Sequence, residues 1–331
     1  MRPFYLLGHE RPLTSVVFNR DGDLLFSAGK DACLSVWWTN RGELAGTYPC
    51  GKGVVSNAEC SLDSRMLIAS SLDQKVLIFD VETGAVRNEL NLSGPCKYVE
   101  WCRKPGAQSK FALVHDSFSQ NEKGIEVYDY SSSDPILLWA QDKYTSRCTR
   151  VHWGPFDEAI ISCHEDGNIM IWDAYTGEFL REFSAHSENI TSASLSDDRA
   201  LMLSCSSDGS AKLWDTINFN VLKSYKTDRP LNACDISPSY NKKDDSRRCH
   251  VLLGGGQKAE DVTSTAATEG KFQALIYHMV RAEELGSCRG HFGPINSLQW
   301  MPDGGGYASG GEDGYVRIYK FDDVYFTDKF K

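Results

Sequence analysis

The chain has no apolar run near the ~18 residues that a membrane-crossing helix needs, which excludes helical spans of a bilayer. Its opening, Met1-Arg2-Pro3, has none of the apolar core of a signal peptide, so a cytoplasmic chain is expected. Positive charge is in deficit: 35 Lys and Arg against 45 Asp and Glu leave a net charge of −10. That sign argues against a dominant nucleic-acid or anionic-membrane surface, which would gather cations. The 11 cysteines are odd in number and scattered, with no CxxC pair. They suit neither a zinc site nor a disulfide framework and are read as small, reduced core residues, with no metal expected. Asn91-Leu92-Ser93 and Asn189-Ile190-Thr191 match the glycosylation acceptor pattern, which carries no weight in a chain that is not secreted. Gly254-Gly255-Gly256-Gln257-Lys258 lacks both the spacing and the following helix of a phosphate cradle, so no cofactor site is expected. Its glycines are expected to let backbones approach closely.

What the chain does have is repetition. A His precedes an Asp by 22 residues at His9 to Asp31, His186 to Asp208 and His291 to Asp313, and an aromatic follows six later at Trp37, Trp214 and Tyr319. The same interval joins Gly51 to Asp73, with Phe79 following, and Tyr144 to Asp166, with Trp172 following. Two further units end at Tyr128-Asp129 and Tyr277-His278, so the aromatic positions are separated by 42, 49, 44, 42, 63 and 42 residues. A period of ~40–45 residues with GH near the start and a WD-like pair near the end marks WD-repeat propellers. Gly8-His9 and Gly290-His291 supply the first mark, Trp172-Asp173 and Trp214-Asp215 the second.

Within each unit, short runs with a two-residue period alternate with turn residues, four runs to a unit. Asp166-Gly167, Asp208-Gly209 and Asp313-Gly314 suit the positive φ of tight hairpins. The expected fold is all-β: a seven-bladed WD-repeat β-propeller over residues 1–320, followed by a tail over 321–331. Blade seven lacks a fourth strand of its own, and the run from Arg2 to Leu7 is expected to supply it and close the ring.

His9, Ser27, Asp31 and Trp37, then His186, Ser204, Asp208 and Trp214, then His291, Ser309 and Asp313, contain the residue types of a hydrolase triad. An enzyme needs one such site; recurrence in several blades points instead to buried hydrogen-bond chains running Asp–His–Ser–Trp, and no catalytic residue is assigned. Where the marker His is missing, at Gly51, at Tyr144 and in the loop Lys226 to Pro230, the rim is expected to be free of this bracing. Asp228, between Thr227 and Arg229, then reads as an exposed acid available to a partner or as a turn cap. In the 63-residue interval, Asn241 to Arg248 reads as a solvated loop and Gln257 to Gly270 as a long hairpin connection. The tail, with Tyr325, Phe326 and Phe330, reads as a strap over blade seven or an aromatic contact for a partner.

Several strings are more specific than the repeat. Met1-Arg2-Pro3, LGHER at Leu7 to Arg11, NRDGDLLF at Asn19 to Phe26, LLGGGQKAEDVTST at Leu252 to Thr265, GKFQALIYH at Gly270 to His278, GHFGPINS at Gly290 to Ser297 and SGGEDGYVRI at Ser309 to Ile318 resemble the family of subunit I of eukaryotic translation initiation factor 3. The resemblance covers the whole chain and is strongest at its ends. It implies a noncatalytic scaffold of the factor that works with the small ribosomal subunit. The implied partners are subunit b, through its C-terminal segment, and subunit g, with RNA contact mostly indirect. Asp228 would then meet a cation of the docked subunit b segment. A WD-repeat adaptor in a signalling complex shares the fold, and only the blade-six string separates the two readings.

Overall fold

The computed structural model describes residues 3–103, 109–116, 124–144, 146–240, 249–256, 271–322 and 325. The loop at 241–248, the connection at 257–270 and most of the tail lie outside the described residues.

Seven antiparallel sheets of four strands form the propeller. Blade one is Leu13–Phe18, Leu24–Gly29, Cys33–Trp38 and Glu43–Pro49, and the chain repeats this path through blade six, which ends at Glu284–Cys288. Blade seven takes Ile295–Trp300, Gly306–Gly311 and Val316–Lys320 from the end of the chain and Phe4–Leu6 from its start. Phe4 pairs with Ile318 and Leu6 with Val316, so the N-terminal strand closes the ring as expected.

The hairpins follow from their Asp residues. The carboxylates of Asp31, Asp166, Asp208 and Asp313 each accept the N–H two residues on, at 2.8–3.2 Å. The intervening residue is left-handed: φ is 59° at Ala32, 83° at Gly167, 78° at Gly209 and 77° at Gly314. An Asx turn followed by a residue that tolerates positive φ reverses the strand. The glycines at Gly254 and Gly255 serve close approach, because a Cβ at Gly254 would lie 2.5 Å from Leu298 and one at Gly255 2.2 Å from the Pro230 carbonyl.

Apolar burial lies between the blades. Seven hydrophobic clusters occupy the seven joints, that between blades seven and one comprising Leu6, Leu13, Trp37, Val316 and Ile318 among others. Middle strands, covered on both faces, are therefore buried along almost their whole length, whereas the outermost strands are largely exposed. The first strands of successive blades neighbour one another around the axis and line a central channel. Of the tail, Phe321 stacks on Tyr325 at 4.0 Å and lies against Trp300, while the Tyr325 hydroxyl meets His250 Nδ1 at 2.6 Å, which joins blades six and seven.

Candidate functional site

Each marker His lies in the loop entering a blade, and each marker Asp in the hairpin beside it. In blade one, the Trp37 indole donates to Ser27 Oγ at 2.8 Å, Ser27 lies 2.8 Å from His9 Nε2, and His9 Nδ1 is 3.0 Å from Asp31 Oδ2. Blade five repeats this: Trp214 to Ser204 at 2.9 Å, Ser204 to His186 at 2.8 Å, His186 to Asp208 at 3.3 Å. An indole can only donate, so the serine hydroxyl is left to donate to Nε2, and Nδ1–H then points at the carboxylate. Burial would raise the Asp208 pKa, yet hydrogen bonds from Ser210 and Ser187 and the nearby His186 hold it at about 2. Burial lowers the pKa of His186 and of His291.

These serines are inaccessible: Ser27, Ser204 and Ser309 have 0% exposure, so no substrate reaches the hydroxyl. The arrangement braces a loop to a hairpin. His186→Ala is expected to cost about 1–3 kcal/mol, because Ser204 and Asp208 lose their buried partner. Urea unfolding of this variant beside Ser224→Ala, exposed on the outer strand Val221–Lys226, measures it; equal stabilities would remove the bracing role.

In blade seven, His291 meets Ser309 at 2.7 Å and Asp313 at 3.0 Å, but the aromatic end differs, since the Tyr319 hydroxyl donates to the Arg289 carbonyl at 3.2 Å. Buried Arg317 joins this set, donating to Asp313 at 2.9 Å and contacting His291.

Blades four and six, which lack a marker His, are tied down by other groups, which corrects the sequence reading at Tyr144 and in the loop Lys226 to Pro230. In blade four, His164 from the second strand approaches Ser162 at 2.9 Å, Trp172 donates to the same hydroxyl at 2.8 Å, and Tyr144 packs edge-on against His164. Blade two forms no such chain, as read from the sequence at Gly51: Asp73 Oδ1 is buried without a hydrogen-bond partner among the described residues, and the Ser71 hydroxyl donates to the Val54 carbonyl at 3.2 Å. In blade six, Thr227 Oγ1 lies 2.8 Å from the carbonyls of both Gly209 and Arg229 and donates its one hydrogen between them. The Asp228 carboxylate accepts from Arg229 Nε at 2.9 Å and is contacted by the Lys271 ammonium. The Lys271 hydrogen bond, with that from Arg229, lowers its pKa. Asp228 is therefore exposed, as read from the sequence, and is paired within its own chain with Arg229 and Lys271. Together Thr227, Asp228, Arg229 and Lys271 form a charged, tied-down rim at the joint of blades five and six.

The spacing argument missed the stitching between blades. The second residue of a first strand donates to the first carbonyl of the next blade: Thr14 to Val55, Ser56 to Cys96, Thr149 to Ile190, Thr191 to Leu231 and Asn296 to Leu13, at 2.5–2.9 Å. Thr14, Thr191 and Asn296 each follow a marker His by five residues, which is the signal that would have found them. The fifth residue faces the channel, of about 550 Å³, and can accept an N–H of the next blade: Glu59 from Trp101, Asp235 from Trp300 and Gln299 from Phe18, at 2.5–2.7 Å. Glu100 departs from this pattern. It accepts from Arg199 Nη1 at 2.8 Å and meets the His152 ring, while the same Arg199 nitrogen donates to the Trp153 carbonyl at 2.7 Å. Burial raises the Glu100 pKa, but His152 and Arg199 lower it further, whereas burial and the neighbouring Glu100 push Glu59 up. Among the described residues no group of three or more His, Cys, Asp and Glu could hold a metal, and no helix is long and apolar enough to cross a membrane.

The EIF3I family model matches residues 1–331. A Bombyx mori protein named eukaryotic translation initiation factor 3 subunit I is 40% identical over all of this chain and 98% of its own length. Proteins of the same name from Schizosaccharomyces pombe and Xenopus tropicalis are each 37% identical over all of this chain, covering 99% and 100% of theirs. With a full-length family match and full-length relatives on the same seven-bladed ring, the chain belongs to the EIF3I family, subunit I of eukaryotic translation initiation factor 3.

Proposed function

We propose that the protein is a noncatalytic scaffold subunit of initiation factor 3 and supports preinitiation-complex assembly on the small ribosomal subunit, in the cytoplasm, through protein contacts. The observation that carries this reading is a full-length family match on a ring whose recurrent Ser–His–Asp sets hold fully buried serines. A closed, stitched ring is a rigid platform, and rigid platforms present loops and edges to partners. The C-terminal segment of subunit b is proposed to dock on the rim of Thr227, Asp228 and Arg229, a cation of that segment competing with Arg229 and Lys271 for the Asp228 carboxylate. Subunit g is the second proposed partner, and RNA is met through partners in keeping with the net charge of −10.

A tagged full chain is expected to recover subunits b and g with small-subunit particles, and recovery of none of them would sink the scaffold reading. Asp228→Lys is expected to reduce recovery of subunit b at least tenfold. The fold should survive, because an exposed ion pair contributes about 0–1 kcal/mol. Undiminished recovery of b from this variant would move the docking site elsewhere.

A further inference from the structure

The outermost strand of a propeller blade has a free edge, and an uncovered edge templates pairing with other strands unless charge or brevity protects it. Five outer strands of this ring carry such charges: Glu43, Arg87 and Glu89, Arg181 and Glu182, Lys223 and Lys226, and Glu284. The sixth, Phe4–Leu6, is three residues long. Blade three differs from all of these. Its outer strand Ile136–Gln141, of sequence ILLWAQ, is full length and uncharged, and Ile136, Leu137 and Leu138 are 54%, 48% and 43% exposed.

The strand is also held rigid. Buried Trp139 donates its indole N–H to the Ala174 carbonyl at 2.9 Å, and Gln141 Nε2 donates to the Gly177 carbonyl at 2.8 Å, which pins the strand to the next blade. Its backbone pairs on one side, with Gly124–Asp129, and no other backbone bond engages it among the described residues.

We infer that the outer edge of blade three receives an extended, uncharged apolar segment of another subunit of the factor complex, which adds as a fifth strand. This rests on the reading that the chain assembles into that complex. Area argues against a second copy as the occupant. A six-residue edge is about 20 Å long and a sheet about 10 Å thick. Edge-to-edge contact of two rings therefore covers on the order of 200 Å² per partner, against roughly 800 Å² in a stable interface. A flexible segment escapes that limit, because it bonds along the backbone and can continue past the edge onto exposed Phe179 and Leu180 of blade four. Charge selects its composition, since a Lys or Glu set against Ile136 and Leu138 would lose water without gaining a partner.

Amide hydrogen exchange of 136–141, in the isolated chain and in the purified factor complex, tests the inference. The amides pointing away from 124–129 are expected to exchange at least tenfold more slowly in the complex, while the outer edge of blade one, Glu43–Pro49, does not change. Leu138→Lys, an exposed substitution that leaves the fold intact, is expected to abolish that protection. Equal exchange in both states, with the chain still in the complex, would overturn the inference and leave the scaffold reading standing. Failure of the chain to copurify would overturn both. Protection in the isolated chain that rises with its concentration, with dimers in sedimentation, would assign the edge to a second copy and overturn the inference.

Discussion

Deletion of residues 1–8 is expected to lower the melting temperature by roughly 10 to 20 °C, the larger of the two main effects. The segment contributes only three residues of strand, but it is the sole partner of Val316–Lys320 on that side. Leu6 is 1% exposed within the joint of blades seven and one, and loss of such a side chain costs about 2–5 kcal/mol. Each ladder hydrogen bond adds about 1 kcal/mol. Tyr5 and Phe4 also cover the cations Arg317 and Lys320, at 5.3 Å each. Removal leaves blade seven with three strands and a bare edge, so the truncated chain should aggregate on heating. Leu6→Ala separates the contributions, since it keeps the backbone ladder and should lose about half as much. An unchanged melting temperature after truncation would mean that closure does not depend on this strand.

Glu100→Ala is the second large effect, with an expected loss of about 3–5 kcal/mol at neutral pH. The carboxylate is 3% exposed and meets Arg199 from blade five and His152 from blade four, so one side chain ties three blades together. Without it Arg199 keeps the Trp153 carbonyl as an acceptor and loses its ion-pair partner in a buried site. The Glu100 pKa is lowered in the folded state, so its contribution is full above the unfolded carboxylate pKa and falls away as pH drops below it. The difference between wild type and variant, read from urea unfolding, should therefore be largest near pH 7 and shrink under acid. Adding Arg199→Met should recover part of the loss, because the stranded charge is removed. A loss under about 1 kcal/mol for Glu100→Ala would show that water replaces the carboxylate at no cost.

The repeat made the architecture legible because a blade is a local object. Its hairpins are set by an Asp and a residue tolerant of positive φ within a few positions, and its His-to-Asp interval of 22 residues is the length of path between two points of one blade. Ring closure was equally legible, since seven aromatic positions with a missing last strand leave Phe4–Leu6 as the natural completion. His164 escaped notice because it reaches Ser162 from within a strand, where no interval marks it. Arg317 escaped for the same reason, as a strand residue that turns inward to Asp313.

The all-β class, the number of blades, the family and the His–Ser–Asp sets of blades one, five and seven were legible along the chain, because all of these depend on short-range spacing. How the blades hold one another was set by tertiary packing: the stitches from Thr14, Ser56, Thr149, Thr191 and Asn296, the Glu100–His152–Arg199 junction, the pairing of Asp228 with Arg229 and Lys271, and, among the described residues, the one full-length outer edge without charge. Apart from the adjacent pair Asp228 and Arg229, those features join residues about 40 to 280 positions apart, or depend on which edge faces solvent. They arise from the angle at which one blade meets the next, and no interval along the chain encodes that angle.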